Sequence, residues 1–365
     1  MIDLFPMIRP IIHQLDPEKA HSATIFALKW HLSGLLGRQK EYAALKTEVF
    51  GLSFDNPVGL AAGFDKNAEV IPAAHRMGFG FAEAGTVTPR PQEGNKKPRL
   101  FRLSEDQAVI NRFGFNNKGL AYFTNQLAAL KSKSANSATK HPYGANVGAN
   151  KDSEDKTADY VKSIHALYSL ADYFTVNISS PNTPGLRALQ SREALASLVE
   201  RVLEARSKEQ AIGQAYVPIL VKIAPDLTHE DIRDIAEISC ETGIDGLIVS
   251  NTTILRPASL ESAHKGEMGG LSGAPLMVPS TKILAEVYKA TGGEIPLIGV
   301  GGISCGQDAY AKIRAGASLV QLYSALVFKG PGLAEKIKAE LAACLEKDGF
   351  LSVKDAVGAD HKPRL

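Results

Sequence analysis

From about residue 41 onward, short apolar runs alternate with amphipathic segments of helical periodicity. Most of the short runs are continuously apolar rather than alternating, which is typical of parallel strands buried on both faces. We predict eight such strands, over residues 58–62, 81–86, 144–147, 173–178, 219–223, 246–250, 297–300 and 319–322. Helical segments separate most of them, over residues 68–77, 117–131, 156–170, 191–208, 229–242, 279–291, 306–315 and 331–347.

Eight strands that alternate with helices predict an α/β fold of the (β/α)8 TIM barrel type. A doubly wound open sheet is the alternative. Polar residues recur at the C-terminal end of nearly every predicted strand. An open sheet instead concentrates its ligand-binding groups near one switch point, so this distribution favours the barrel.

Residues 1–40 have a different pattern and predict a small N-terminal helical extension. Asp16, Pro17 and Glu18 supply an N-cap, a proline at the first helical position and an acid in the first turn. The apolar residues that follow are Ala20, Ala23, Phe26, Ala27, Leu28, Trp30, Leu32, Leu35 and Leu36, with His31 and Arg38 among the basic ones. Such helices either pack on the main domain or lie on a membrane surface, and a cap with an apolar outer face does both. We therefore divide the chain into residues 1–40 and a barrel domain, residues 41–365.

Three connections within the barrel domain are unusually long. Residues 88–115 form an insertion after the second strand, and residues 131–141 are rich in Ser, Ala, Asn and Lys. We expect the latter to be a mobile surface loop. Residues 252–272, after the sixth strand, are a candidate lid.

The amino-acid composition narrows the range of protein classes to which this chain can belong. The 365 residues are 44% hydrophobic and 22% charged, as in globular proteins. A net charge of +2 argues against a nucleic-acid-binding protein. The three cysteines lie far apart without metal-ligand spacing, so we expect a reducing compartment, no disulfide and no bound metal. Neither a membrane-spanning run nor a clear signal peptide is predicted.

Residues 177–187 follow an apolar strand and contain asparagine, serine, threonine and proline, with no charge before Arg187. An ordinary turn has this composition too. The alternative is a site that binds a flat polar ring and removes one proton from it. Two lysines support the second interpretation: Lys66 follows the first strand, and Lys222 lies inside the apolar fifth strand, where a cation is costly without a ligand or counter-charge.

Glycine-rich segments follow the last two strands. Gly299, Gly301 and Gly302 precede a helix predicted to begin near residue 306, and Tyr323 and Ser324 end the eighth strand. Turns after strands seven and eight, with free N–H groups at a helix N-terminus, form phosphate sites in barrels. Because no Rossmann fingerprint is present, flavin mononucleotide (FMN) fits better than a nicotinamide cofactor.

Five segments together resemble the dihydroorotate dehydrogenase family: residues 62–66, 111–115, 177–183, 221–226 and 299–302. Serine at position 180 and the N-terminal extension make the chain similar to the quinone-dependent, membrane-associated class 2. Class 1 enzymes have cysteine at that position and lack the extension.

The resemblance implies that Ser180 is the base that takes a proton from C5 of dihydroorotate, with Thr183 and Phe115 shaping a relay. It places the substrate against Lys66, Asn111, Arg112, Phe113, Gly114, Phe115, Asn177, Asn182, Asn251 and Thr252. It places one FMN against Ala62, Gly63, Phe64, Asp65, Lys66, Thr86, Asn146, Asn177, Lys222, Ser250, Gly273, Gly302, Tyr323 and Ser324. Ser250 replaces the threonine expected there, and its hydroxyl group is retained.

The quinone passage implied by the resemblance is lined by His21, Arg102 and Tyr323. The family further implies a monomer attached peripherally to the cytoplasmic side of the cell membrane, acting in de novo synthesis of UMP. Two other hypotheses remain open at this point. A tRNA dihydrouridine synthase would need a cysteine acid and a basic RNA-binding surface, and a non-enzymatic barrel would bind the phosphorylated ligand without turnover.

Overall fold

The computed structural model describes residues 5–30, 39–134 and 141–362. Their strands are β1 Thr47–Val49, β2 Leu52–Phe54, β3 Val58–Leu60, β4 Phe81–Val87, β5 Leu100–Leu103, β6 Ala108–Asn111, β7 Tyr143–Val147, β8 Tyr173–Asn177, β9 Ile219–Ile223, β10 Gly246–Val249, β11 Gly270–Gly273, β12 Leu297–Val300 and β13 Ala317–Leu322. Their α-helices are α1 Phe5–Gln14, α2 Pro17–Lys29, α3 Ile71–Arg76, α4 Leu120–Ser134, α5 Lys156–Leu167, α6 Arg192–Ala211, α7 His229–Thr242, α8 Met277–Ala290, α9 Gly306–Arg314, α10 Ala325–Lys329, α11 Leu333–Lys347 and α12 Val353–Ala356.

Eight parallel strands close into a barrel in chain order, β3-β4-β7-β8-β9-β10-β12-β13, and β13 pairs with β3 to complete the ring. The predicted TIM barrel is confirmed, and the open sheet is wrong. Each of the eight predicted strands is present. Their ends move by up to two residues; β3, for example, stops at Leu60 because the chain then turns into the loop that contains Lys66.

The barrel interior is apolar towards the N-terminal ends of its strands. Phe81, Tyr173 and Leu220 belong to a buried cluster there that also includes Val49 and Phe54 of the β1–β2 hairpin. The rings of Phe54 and Phe81 meet edge to face at 5.3 Å. The hairpin therefore covers this end of the barrel. It was not predicted, since two three-residue strands are too short to show a period.

The insertion of residues 88–115 and the connection of residues 252–272 meet in a second small sheet, which has three strands. Strands β5 and β6 form a hairpin within the insertion of residues 88–115, and β11 pairs antiparallel with β6 at the end of the connection of residues 252–272. This pairing fixes the last residues of the predicted lid against the insertion. Movement of the rest of that connection stays a prediction.

The N-terminal helices pack on the barrel domain. Asp16 is the N-cap of α2, as predicted, and its Oδ1 accepts hydrogen bonds from the N–H groups of Glu18 and Lys19. The carboxylate of Glu18 forms an ion pair with Arg99 at 2.7 Å. His31, Leu32, Leu35, Leu36 and Arg38 of the predicted helix, and positions 135–140 of the predicted mobile loop, lie outside the described residues. Among those described, no helix is both long and apolar enough to cross a membrane.

Candidate active site

The C-terminal ends of seven barrel strands, the β5–β6 hairpin and helices α1 and α2 enclose one cavity of about 1160 Å³. Ser180, Lys66 and Lys222 all line it. Three residues that the sequence only suggests belong together therefore line the same cavity. The described part of the chain contains no cluster of three or more His, Cys, Asp or Glu residues able to hold a metal ion.

Ser180 lies in the loop after β8 and is buried. Its Oγ accepts a hydrogen bond of 3.2 Å from the N–H of Asn182, which leaves the hydroxyl proton free for another acceptor. The Asn182 amide in turn donates to the carbonyl of Asn111 at 3.2 Å, so the loop is held against β6. Nearby in sequence, the hydroxyl of Thr183 is buried without a hydrogen-bond partner among the described residues.

Lys66 lies in the loop after β3, where its ammonium donates to the carbonyl of Gly63 at 2.9 Å. The same nitrogen lies 4.5 Å above the ring of Phe113, a cation–π contact. Burial lowers the pKa of Lys66 to about 8, and the distant carboxylate of Glu18 offsets part of that effect. Lys66 is therefore a cation at neutral pH that has no full counter-charge of its own.

Lys222 projects from β9 into the barrel and is buried. It forms no ion pair within the described ranges. Burial lowers its pKa, and the carboxylate of Glu83 acts in the opposite direction. The ammonium lies on the cavity wall, where a buried cation favours any ligand that gains negative charge.

A chain of hydrogen bonds fixes the amides below the cavity. Glu83, fully buried on β4, accepts from the amide of Asn146 at 2.7 Å. The Oδ1 of Asn146 then accepts from the hydroxyl of Thr86 at 2.5 Å, and that hydroxyl accepts from Asn177 at 2.9 Å. Because a carboxylate only accepts hydrogen bonds, it requires the NH₂ group of Asn146 to point towards it.

The turn after β12 has the properties of an anion site. Gly301 and Gly302 have positive φ angles of 110° and 80°, and a Cβ at Gly302 would clash with the backbone of Met277. The N–H groups of Gly302, Ile303 and Ser324, all on the cavity wall, meet no acceptor among the described residues. Two unsatisfied donors at this turn, together with a third after β13, fit the phosphate of a flavin mononucleotide.

The predicted role of the helix N-terminus at this turn needs correction. The N–H of Ser304 donates to the carboxylate of Asp308, and the N–H of Gly306, the first residue of α9, donates to Glu340. Side chains thus already occupy these donors. The free N–H groups precede the helix rather than belonging to it.

Helix α2 closes the cavity on the side of its entrance. The ring of His21 lies 3.3 Å from both Lys66 Nζ and the hydroxyl of Tyr323. Burial and the adjacent ammonium of Lys66 lower the pKa of His21 to about 3, so the imidazole is neutral at physiological pH. Arg102, on β5, donates to the carbonyl of His13 at 2.8 Å. All three predicted passage residues line the cavity.

Comparison with known proteins identifies the family. The sequence model described as dihydroorotate dehydrogenase matches residues 44–345. This chain belongs to the dihydroorotate dehydrogenase family. It is 55% identical to the dihydroorotate dehydrogenase (quinone) of Azorhizobium caulinodans, with 98% of this chain and 99% of that protein covered.

Other members of the dihydroorotate dehydrogenase family agree over similar lengths. The mitochondrial dihydroorotate dehydrogenase (quinone) of Mus musculus is 51% identical, over 95% of this chain and 88% of the mouse protein. The crystal structure of the Eimeria tenella DHODH in complex with ferulenol superposes with a TM-score of 0.92 at 42% identity, covering all of both chains. The similarity thus extends through the N-terminal helices.

Three residues predicted to contact ligands in this dihydroorotate dehydrogenase family member are not on the cavity wall. The Asp65 carboxylate accepts from the N–H groups of Asn67, Glu69 and Val70 and is buried within its loop. Asn146 lies behind Thr86 and is fully buried.

The third, Arg112, turns outward and pairs with Glu267 at 2.7 Å. These side chains are occupied by the protein itself, so they position wall residues instead of lining the cavity. Ser180 and all other residues predicted to contact substrate, cofactor or quinone line the cavity, whereas Thr183, predicted as a relay residue, does not.

Sequence reasoning missed two groups that organise the site. Glu83 receives four hydrogen bonds inside the barrel, although its place within an apolar strand was the same signal that singled out Lys222. Arg187 was noted only as the first charged residue of the loop of residues 177–187. Its guanidinium pairs with Asp226 at 2.8 Å and donates to the carbonyls of Ser179 and Thr252, which joins two loops of the site.

Proposed function

We propose that this protein oxidises dihydroorotate to orotate and passes the electrons through a bound FMN to a membrane quinone, in the de novo route to UMP. The observation that carries the proposal is that Ser180, Lys66 and Lys222 line one cavity together with a glycine turn that has unsatisfied N–H groups. Relatives more than half identical over nearly the whole chain are named dihydroorotate dehydrogenase (quinone).

FMN fits the part of the cavity between the glycine turn after β12 and Lys222. Its phosphate would accept from the N–H groups of Gly302, Ile303 and Ser324, and its ring system would lie near Lys222. The other proposed contacts on the wall are Ala62, Gly63, Phe64, Lys66, Thr86, Asn177, Ser250, Gly273 and Tyr323. When bound, the flavin supplies the acceptor for the hydride that leaves the substrate. Asp65 and Asn146 support this wall from behind.

Dihydroorotate carries a carboxylate and ring amides, and the wall offers a partner for each. Lys66 would pair with the carboxylate, because it is a partly buried cation without an ion-pair partner among the described residues. The ring amides would meet Asn111, Asn177, Asn182, Asn251 and Thr252, with Phe113, Gly114 and Phe115 closing the cavity. Arg112 would act on the substrate only indirectly, by holding β6 and the connection to β11 together.

Ser180 would take the proton from C5. A serine has too high a pKa to act alone, so its proton needs an onward acceptor. The hydroxyl of Thr183 is buried and unpartnered within the described part of the chain, as a relay group would be. The Asn182 N–H holds the Ser180 oxygen in position during the transfer.

The N-terminal helices, residues 1–40 by our division, would admit the quinone and contact the membrane. His21, Arg102 and Tyr323 line the passage, and apolar residues of α1 and α2 line the outer part of the cavity. Large apolar side chains of the same helices and of the residues that follow each of them are exposed: Met7, Ile8, Ile11, Leu15, Phe26 and Trp30. We propose peripheral attachment of a monomer to the cytoplasmic side of the cell membrane.

The test is a visible absorption spectrum of the purified full-length protein, taken before and after anaerobic addition of dihydroorotate. We expect a flavin spectrum that bleaches with dihydroorotate, recovers with a quinone analogue, and yields FMN on extraction. A colourless protein that does not bind added FMN contradicts the cofactor. A yellow protein that dihydroorotate does not bleach contradicts the substrate, and points instead to a barrel that only binds its ligand.

A further inference from the structure

We propose that Lys312 is a buried positioning residue for the cofactor phosphate. It supports the glycine turn after β12 from behind and supplies a positive charge that selects a phosphorylated flavin over an unphosphorylated one. The inference rests on the proposed FMN site and extends it to a residue outside the cavity wall.

Lys312 lies on α9 and is completely buried. Its ammonium donates to the hydroxyls of Ser280 and Thr281 on α8, at 2.8 Å and 3.0 Å. No carboxylate in the described part of the chain forms an ion pair with it. The charge is thus surrounded by two neutral hydroxyl groups, an arrangement that normally costs stability.

The same contacts connect Lys312 to the turn. The Oγ of Ser280 lies 3.1 Å from the carbonyl oxygen of Gly301, as well as bonding to the carbonyl of Leu276. A Cβ at Gly301 would come within 2.9 Å of that Oγ, and one at Gly299 would come within 3.2 Å of the Lys312 side chain. Lys312 therefore lies directly behind the turn, whose residues Gly301 and Gly302 line the cavity.

The charges around Lys312 explain why its position behind the turn favours a bound anion. Burial lowers the pKa of Lys312 to about 7, and Asp308 on the same helix opposes the shift only in part. The Asp308 carboxylate is itself occupied by the N–H and hydroxyl of Ser304. An anion bound by the N–H groups of Gly302 and Ile303 would provide the missing counter-charge. In this water-excluded region the attraction is stronger than at a protein surface.

A second buried lysine shows what a purely structural role looks like. Lys338, on α11, pairs with Glu335 at 2.6 Å and donates to the carbonyl of Lys40 at 3.2 Å. The protein itself balances this charge. Lys312 has no such partner within the described ranges, and it lies beside the turn with unsatisfied donors. The two residues form a matched pair for an experiment.

The experiment compares the affinities of the full-length apoprotein for FMN and riboflavin, which differ only by the phosphate. Binding is followed by quenching of flavin fluorescence in the wild type and in Lys312→Met, Lys312→Gln and Lys338→Met. We expect both Lys312 variants to lose about tenfold or more of the preference for FMN, with riboflavin affinity unchanged. Lys312→Gln keeps a hydrogen-bond donor for Ser280 but removes the positive charge, so it separates the effect of the charge from that of the hydrogen bond. Lys338→Met should keep the wild-type preference.

The wild type provides a second measurement that does not depend on folding of a variant. A buried charge is poorly screened, so the preference for FMN should persist between about 0.05 M and about 1 M salt. If the preference for FMN disappears at high salt, it comes from exposed lysines such as Lys329, and the inference is overturned. An unchanged preference in either Lys312 variant would do the same. A wild type that binds neither flavin would instead refute the proposed cofactor.

Discussion

The Nε2 atom of His21, on helix α2, lies 3.3 Å from the ammonium nitrogen of Lys66, in the loop after β3. The N-terminal extension thus reaches the cation that the proposed function assigns to the substrate carboxylate. Because burial keeps His21 neutral at physiological pH, its ring accepts a hydrogen bond from Lys66 without repelling it. The extension is therefore a structural part of the cavity, and the proposed quinone passage and the proposed substrate pocket meet at this contact.

Lys66 should make orotate binding depend on pH. Its pKa in the free site is lowered to about 8, and a bound carboxylate favours the ammonium. Affinity is therefore complete below that pKa and lost as the pH rises through it. We expect the orotate Kd, measured by calorimetry, to rise by about tenfold per pH unit above pH 8 until the pKa of the complex is reached.

The control for this prediction is Lys66→Met. This variant has no group to titrate at the position, so its orotate affinity should be weak and should not change over the same pH range. A wild-type Kd that stays constant through the pKa of Lys66 would show that the lysine does not bind the carboxylate.

Replacement of the proposed base, Ser180→Ala, should lower kcat by about a hundredfold or more, since general base catalysis contributes about 10²- to 10⁴-fold. The flavin content should not change, because the hydroxyl accepts one bond from Asn182 and supports no other described residue. Stopped-flow reduction of the flavin by dihydroorotate measures the effect directly. Ser239→Ala is the matched control, since this buried hydroxyl on α7 only donates to Ile235. Near-normal reduction in Ser180→Ala would exclude Ser180 as the base.

The barrel was predictable because each of its strands is an apolar run followed by a helix. The smaller sheet was not, since β6 and β11 pair across about 160 residues of sequence and neither strand alternates clearly. Wall residues such as Lys66 and Asn177 were found through their motifs. The direction of a side chain within a loop is a tertiary property, and for this reason Asp65 was placed on the wall although it turns back to its own backbone.

Asp226 should affect catalysis without touching the substrate. Its carboxylate holds Arg187, which donates to the carbonyls of Ser179 and Thr252 in two separate loops of the site. Loss of the charge in Asp226→Asn should let both loops shift, and a shift of about 1 Å costs about a hundredfold in rate. We expect kcat/KM for dihydroorotate to fall by about ten- to a hundredfold with FMN retained. Asp234→Asn, which breaks an exposed ion pair, should have no effect.

The last prediction concerns membrane binding by the exposed apolar residues of the extension. Ile11, Phe26 and Trp30 are 67%, 61% and 63% exposed. Burial of one such side chain in lipid contributes about 1.5–3 kcal/mol, so replacing all three with serine should weaken binding to vesicles by well over tenfold. Dihydroorotate-dependent reduction of a soluble dye should stay unchanged, while reduction of a vesicle-embedded quinone falls. The control replaces Ile212 and Leu351, which are even more exposed but lie outside the extension, and should sediment with vesicles like the wild type. Equal losses in both variants would mean that general hydrophobicity, rather than this surface, holds the protein to the membrane.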